Sequence, residues 1–152
     1  MAERIALEQT VRDLYLARNA NDLDAIMKLL AQDFTFQIVG SGRLGPLALA
    51  VNTQETVRGT FQDLIDAWDL NRLETVGIYV DGDTVVAHRA GPIVFRPSKT
   101  EIQTHIIDKF TFRDGRVAAI EEFVDTLLVA ETIGLLGEPD VYSSSTRDRI
   151  SL

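Results

Sequence analysis

The chain has 152 residues, of which 45% are hydrophobic and 25% charged, with a formal net charge of −8 and no cysteine. That is the composition of one globular domain, and it excludes disulfides, thiolate nucleophiles and cysteine-ligated zinc. The negative charge repels phosphate backbones and anionic lipid, so nucleic acid and membrane are not expected partners.

The first residues, MAERIALEQT, carry charge early and lack the apolar core of a signal peptide. No apolar run approaches the ~20 residues of a membrane span. A cytoplasmic protein is expected. Residues 1–136 read as a single domain, and 137–152 as a loose or partner-wrapped tail containing Pro139 and Ser143–Thr146.

From Glu3 to Asn19, Ile5, Leu7, Val11, Leu14 and Tyr15 recur at helical spacing. Asp22 is placed to cap a second helix, Leu23–Leu30. Asp33–Val39 alternates like a short strand, and Gly40 to Pro46 reads as a glycine-rich loop. Leu47, Leu49 and Val51, just beyond it, read as lid or interface residues. Asn52 and Glu55 have capping-box spacing for a third helix reaching Trp68, with Val57, Phe61, Leu64, Ile65 and Trp68 along one side.

Strands follow. Leu73–Val80 ends at the turn Asp81-Gly82-Asp83, and Thr84–Phe95 comes next, with Gly91-Pro92 marking a bulge or an edge. Ile102–Arg113 and Val117–Thr126 form a hairpin around Asp114-Gly115, and Leu127–Ile133 allows one or two helical turns. Helices first and an antiparallel meander afterwards predict an α+β fold: a cone-shaped, curved antiparallel sheet with three helices from the N-terminal half on its concave face. Such a cone encloses a cavity suited to a small apolar ligand.

One acid stands out. Alternation on Ile102–Arg113 sends Ile106, Asp108, Phe110 and Phe112 to one face, and His105, Ile107, Lys109 and Thr111 to the other. A carboxylate on the apolar face costs several kcal/mol unless it is paired or used. Desolvated and unpaired, Asp108 is a proton donor or general acid/base; paired with Arg89 from a facing strand, it is a structural ion pair. Glu121 and Glu122 are adjacent, so only one of them can face the cavity. Phe36, Ile38, Phe61, Trp68, Ile106 and Phe110 are expected to line it.

Other motifs exclude more than they offer. His88 and His105, the two histidines, fall on the outer face, and there is no HExxH and no clustered ligand set, so no catalytic metal is expected. Gly40-Ser41-Gly42-Arg43-Leu44-Gly45 matches GxGxxG, but Pro46 stands where a dinucleotide site needs a helix, so no cofactor is expected. No GxSxG nucleophile elbow is present.

Three segments carry a resemblance. Asn21-Asp22-Leu23-Asp24-Ala25-Ile26, Leu30-Ala31-Gln32-Asp33-Phe34-Thr35, and Ile107-Asp108-Lys109-Phe110-Thr111-Phe112 with Asp114-Gly115-Arg116-Val117 and Glu122-Phe123-Val124-Asp125 resemble the ketosteroid isomerase-like (NTF2-like, SnoaL-like) superfamily. The resemblance covers about Leu7 to Gly134. It implies the cone fold, places Arg89 and Glu122 inward, and implies a homodimer through the outer sheet face.

Asp108 falls on the position of the isomerases' protonated acid. Their tyrosine position falls on Leu14, with Tyr15 adjacent, and their proton-abstracting aspartate on Ile38, so steroid isomerisation is not implied. Against limonene epoxide hydrolases, Arg89 and Glu122 match, while Gly91, Phe36 and Ile38 replace the remaining groups. Small polyketide cyclases need only an acid/base beside a hydrophobic substrate. The resemblance thus implies a small hydrophobic ligand and, if the protein is an enzyme, cofactor-independent isomerase- or cyclase-type chemistry by Asp108, with Arg89, Glu122 and Tyr15 assisting. A non-enzymatic ligand-binding or dimerisation module is the alternative.

Overall fold

The structure is a computed structural model that describes residues 2–136; the expectation for residues 137–152 lies outside them. Helix α1 spans Ala2–Asn19. It buries Leu7, Val11, Leu14 and Tyr15, whose spacings of four, three and one keep them on a single stripe. Asn21, at φ 55, breaks the chain direction. Asp22 then caps α2, Leu23–Leu29, by accepting from the Ala25 N–H at 3.0 Å.

Strand β1 follows without a loop as Leu30–Ile38, starting three residues before the alternation became visible. Phe34, Phe36 and Ile38 point inward from it. The glycine-rich segment is not an open loop. It folds into a kinked 3-10 helix, Gly42–Ala48, that buries Leu44 and Ala48 against Ala130.

Helix α3 is Gln54–Ala67, and its capping box is Thr53 with Thr56 rather than Asn52 with Glu55. Burial of Val57, Phe61 and Ile65 fixes the phase of α3, and that phase moves its start one residue on. Two threonine hydroxyls then do the work of the longer glutamate, with Thr53 accepting from the Thr56 N–H and Thr56 from the Thr53 N–H.

The remaining elements are β2 Trp68–Asp69, β3 Glu74–Asp81, β4 Thr84–Phe95, β5 Thr100–Arg113, β6 Arg116–Phe123 and α4 Thr126–Thr132. The sheet runs β1-β6-β5-β4-β2, and β3 also pairs with β4. All pairs are antiparallel except β1 with β6. That parallel pair joins strands from opposite ends of the domain, a contact no local pattern announces.

Strand β4 shares one edge between β3, whose pairing reaches Ala90 of β4, and β2, whose pairing starts at Val94 of β4. Gly91 lies in the gap at φ 140, where a Cβ would meet the Arg72 carbonyl oxygen at 2.9 Å. The sequence mark at Gly91-Pro92 is therefore a local edge crossed closely by the β2–β3 connection.

The main core joins α1, α2 and α3 to the concave face of the sheet. Phe61 of α3 sits 5.0 Å from Phe36 and 6.1 Å from Phe34, tying the helix to β1. A second cluster of Trp68, Leu73, Ile93 and Ile106 closes the other end. Between these two lies the cavity.

Candidate functional site

Register places the polar groups of the cavity. Asp108 on β5 is opposite Ala87 of β4 and Glu122 of β6, and Arg89 is opposite Ile106. Alternation turns Arg89, Asp108 and Glu122 inward. From the helical side, α1 contributes Tyr15 and Arg18. The cavity holds about 80 Å³, room for several waters. Its other walls are apolar and include Leu14, Ile26, Phe36, Ile38, Phe61, Trp68, Ile106 and Ile120.

Asp108 is 3% exposed and Arg89 is 3% exposed, yet no ion pair joins them among the described residues. Arg89 instead donates from Nη2 to Asn19 Oδ1 at 3.0 Å and weakly to the Leu73 carbonyl at 3.4 Å. Its guanidinium lies 4.0 Å above the Tyr15 ring, a cation–π contact that tolerates burial. Tyr15 in turn donates its hydroxyl to Asp108 Oδ2 at 2.6 Å, and its ring meets Phe110 edge-on at 5.9 Å. Arg89, Tyr15 and Asp108 form a chain in which the phenol stands between cation and carboxyl.

Two buried side-chain atoms lack a partner among the described residues, Arg89 Nε and Asp108 Oδ1. Glu122 is the cross-strand neighbour of Asp108, and a proton on its carboxyl would supply a donor for the second. Burial raises the Asp108 carboxyl above its ordinary range, while the Tyr15 hydroxyl, the Glu122 carboxyl and the Arg89 charge pull it back. Glu122 is pushed well above the usual glutamate value, by burial first and then by the charge and hydrogen bond of Asp108; Arg18 and Arg89 oppose the shift. Glu122 is half-buried and lines the cavity, so the surface it keeps opens on a desolvated chamber. Both carboxyls are raised, Glu122 further, and they titrate as one pair.

Burial also raises the Tyr15 hydroxyl, with help from Asp108, so the phenol stays protonated and remains a donor. Arg89 is lowered by burial and supported by Tyr15, Asp108 and Glu122.

Of the residues expected at the site, Asp108, Arg89, Glu122 and Tyr15 come together around one cavity. Phe36, Ile38, Phe61, Trp68 and Ile106 line it, whereas Phe110 is fully buried behind Tyr15 and does not. Leu47 faces the cavity, Leu49 is exposed, and Val51 bridges to Phe36. Glu121 points out and pairs with Lys109 at 2.9 Å.

Arg18 was not anticipated. It is 7% exposed, lines the cavity and donates to the Leu64 and Trp68 carbonyls at 3.0 and 2.8 Å, closing the C-terminal end of α3. Burial lowers its guanidinium to about 10, offset in part by Glu122. The signal was available: Arg18 continues the stripe of Leu7, Val11 and Leu14 at a spacing of four.

The SnoaL-like domain family matches residues 11–120, and the chain belongs to that family. A candidate isomerase from Bacillus subtilis is 18% identical, with a TM-score of 0.77, over 88% of this chain and 96% of its own. An NTF2-like protein of unknown function from Burkholderia pseudomallei is 18% identical, with a TM-score of 0.74, over 84% and 97%. A candidate polyketide cyclase from Xanthomonas campestris is 16% identical, with a TM-score of 0.69, over 86% and 98%. At these identities the likeness carries the fold, cone-shaped and α+β as expected. No curated protein matches the sequence.

Proposed function

We propose that this SnoaL-like protein takes a small hydrophobic carbonyl or polyphenolic compound into its cavity and moves a proton on it without a cofactor, as isomerases and cyclases do. The observation that carries the reading is the cross-strand pair Asp108–Glu122, set in an apolar chamber with the Tyr15 hydroxyl 2.6 Å from Asp108. Two carboxyls forced together in low dielectric hold one proton and one negative charge between them. Such a pair accepts a proton near neutral pH, where an ordinary carboxylate is a poor base.

A proton leaves an acidic carbon of the ligand for the carboxyl pair, and the bonding electrons move onto the ligand oxygen as an enolate. Asp108 Oδ1 is shielded from solvent, so Glu122 is the face of the pair that meets the ligand: as one Glu122 oxygen takes the ligand's proton, the proton shared by the pair passes to Asp108, and the pair's negative charge is neutralised. Arg89 steadies the negative oxygen. Return of the proton to another carbon gives an isomer. Attack of the enolate carbon on a second carbonyl, with the proton going to the new alkoxide, closes a ring.

Non-enzymatic binding is the second reading. Tyr15 already donates its hydroxyl hydrogen bond to Asp108, and Arg89 Nη2 is committed to Asn19 and Leu73, which leaves few polar atoms free for chemistry on a ligand.

Trp68 is the sole tryptophan and lines the cavity, so its fluorescence reports occupancy. The test uses β-tetralone, a small enolisable ketone, in heavy water. Quenching of Trp68 together with faster exchange of the α-protons, lost in Asp108→Asn with the quenching retained, is the expected result. Quenching with exchange at the buffer rate supports the binding module, and absence of both removes this ligand class.

The assembly proposed is a homodimer through the outer sheet face, where Tyr79 and Phe123 stay 65% and 43% exposed; sedimentation of the purified chain checks it. A cytoplasmic location is also a proposal. No helix among the described residues is long and apolar enough to cross a membrane.

A further inference from the structure

The whole chain contains two histidines, and the fold brings them together. His88 of β4 is paired with Ile107, and His105 of β5 with Ala90, so the imidazoles meet diagonally on the outer face, away from the cavity. His88 Nε2 lies 2.9 Å from His105 Nδ1, and the rings stack with centroids 5.2 Å apart and planes at 27°. Gly77 is opposite His88 on β3 and adds no side chain there. The Tyr79 hydroxyl occupies the space above that glycine, where a Cβ would meet it at 2.8 Å.

We propose that His88 Nε2 and His105 Nδ1 form a chelate for a divalent copper or nickel ion on the outer face of the sheet. Neutral imidazole suits these metals. A metal–nitrogen bond of about 2.0–2.1 Å puts two ligands at right angles about 2.9 Å apart, and two tetrahedral ligands about 3.3 Å apart. The observed 2.9 Å fits the right-angled arrangement of tetragonal and octahedral ions.

Paired strands hold both histidines, so little ordering is left for the metal to impose. Binding replaces the proton between the rings: both facing nitrogens become bare, and the protons sit on His88 Nδ1 and His105 Nε2. Acid competes with the metal for the same nitrogens. Among the described residues no group of three or more ligating side chains exists, so water completes the coordination.

Both ligands come from one chain, but they lie on the outer sheet face proposed for the homodimer, so the titration is made on protein whose oligomeric state has been fixed by sedimentation. With no cysteine and no third histidine in the sequence, the double variant His88→Gln/His105→Gln supplies the background of carboxylates alone. Untagged protein is titrated with divalent nickel by calorimetry and melted with and without excess metal. The expected result is one nickel per chain, bound at least about tenfold more tightly than by either single variant, with a melting point that rises with nickel only in the wild type. Circular dichroism confirms that the variants fold. A wild-type isotherm that matches the double variant, or a single variant that keeps full affinity, overturns the proposal.

Discussion

The inner and outer faces of β4, β5 and β6 are built from neighbouring residues, yet they treat charge in opposite ways. On the outside, Lys109 and Glu121 meet as a half-exposed ion pair at 2.9 Å. On the inside, one residue along each strand, Asp108 and Glu122 are two carboxyls at facing register positions, with Arg89 turned away to Asn19. Composition is similar; solvent access differs. Water on the outer face dissolves each charge at little cost, while the inner face stacks a guanidinium on a phenol and still leaves Arg89 Nε without a partner among the described residues. Buried acid of this kind costs stability and has to be held by its surroundings, which is the physical ground for proposing it as a site rather than a fastener.

Four changes probe that contrast, in falling order of effect. Asp108→Asn or Glu122→Gln removes the shared proton, and β-tetralone exchange is expected to fall by about a hundredfold or more, the scale of general acid–base catalysis, while Trp68 quenching persists. Tyr15→Phe deletes the donor to Asp108 Oδ2. Chemical denaturation is expected to show a loss of about 1–3 kcal/mol, because a buried acceptor is left short of a partner, and the Asp108 carboxyl rises further.

Third is the pH dependence of stability. Asp108 and Glu122 both lie above their ordinary values in the folded state. The folded state therefore binds more protons, and the stability these groups carry is complete below the unfolded range of about 4 and is lost as pH rises through their folded values. Glu122→Gln is expected to flatten that fall; equal slopes in thermal melts of variant and wild type contradict it. Smallest is Lys109→Ala on the outer face, expected to change stability by no more than about 1 kcal/mol. A larger loss there would erase the difference between the faces.

Much of this was legible in the chain. The inward direction of Asp108 follows from alternation alone, and the hairpin at Asp114-Gly115 sets Glu122 opposite it. What local pattern does not carry is partner choice. Arg89 was within reach of Asp108 by strand position, but the structure shows it captured by Asn19 at the end of α1 and by the face of Tyr15, two contacts made by a helix far away in sequence. The parallel pairing of β1 with β6 and the capping of α3 by Arg18 are likewise non-local. Thr53 and Thr56 were missed for a smaller reason: a one-residue phase shift set by burial of Val57.

Carboxyl-carbon NMR titration of Glu122, read beside Glu121 on the same strand, tests the shared proton most directly. The account predicts that Glu122 titrates well above the ordinary glutamate value of about 4.3 and keeps its proton after Asp108 has ionised. Titration of Glu122 at the ordinary value, with both inner carboxyls ionised well below neutrality, would contradict it.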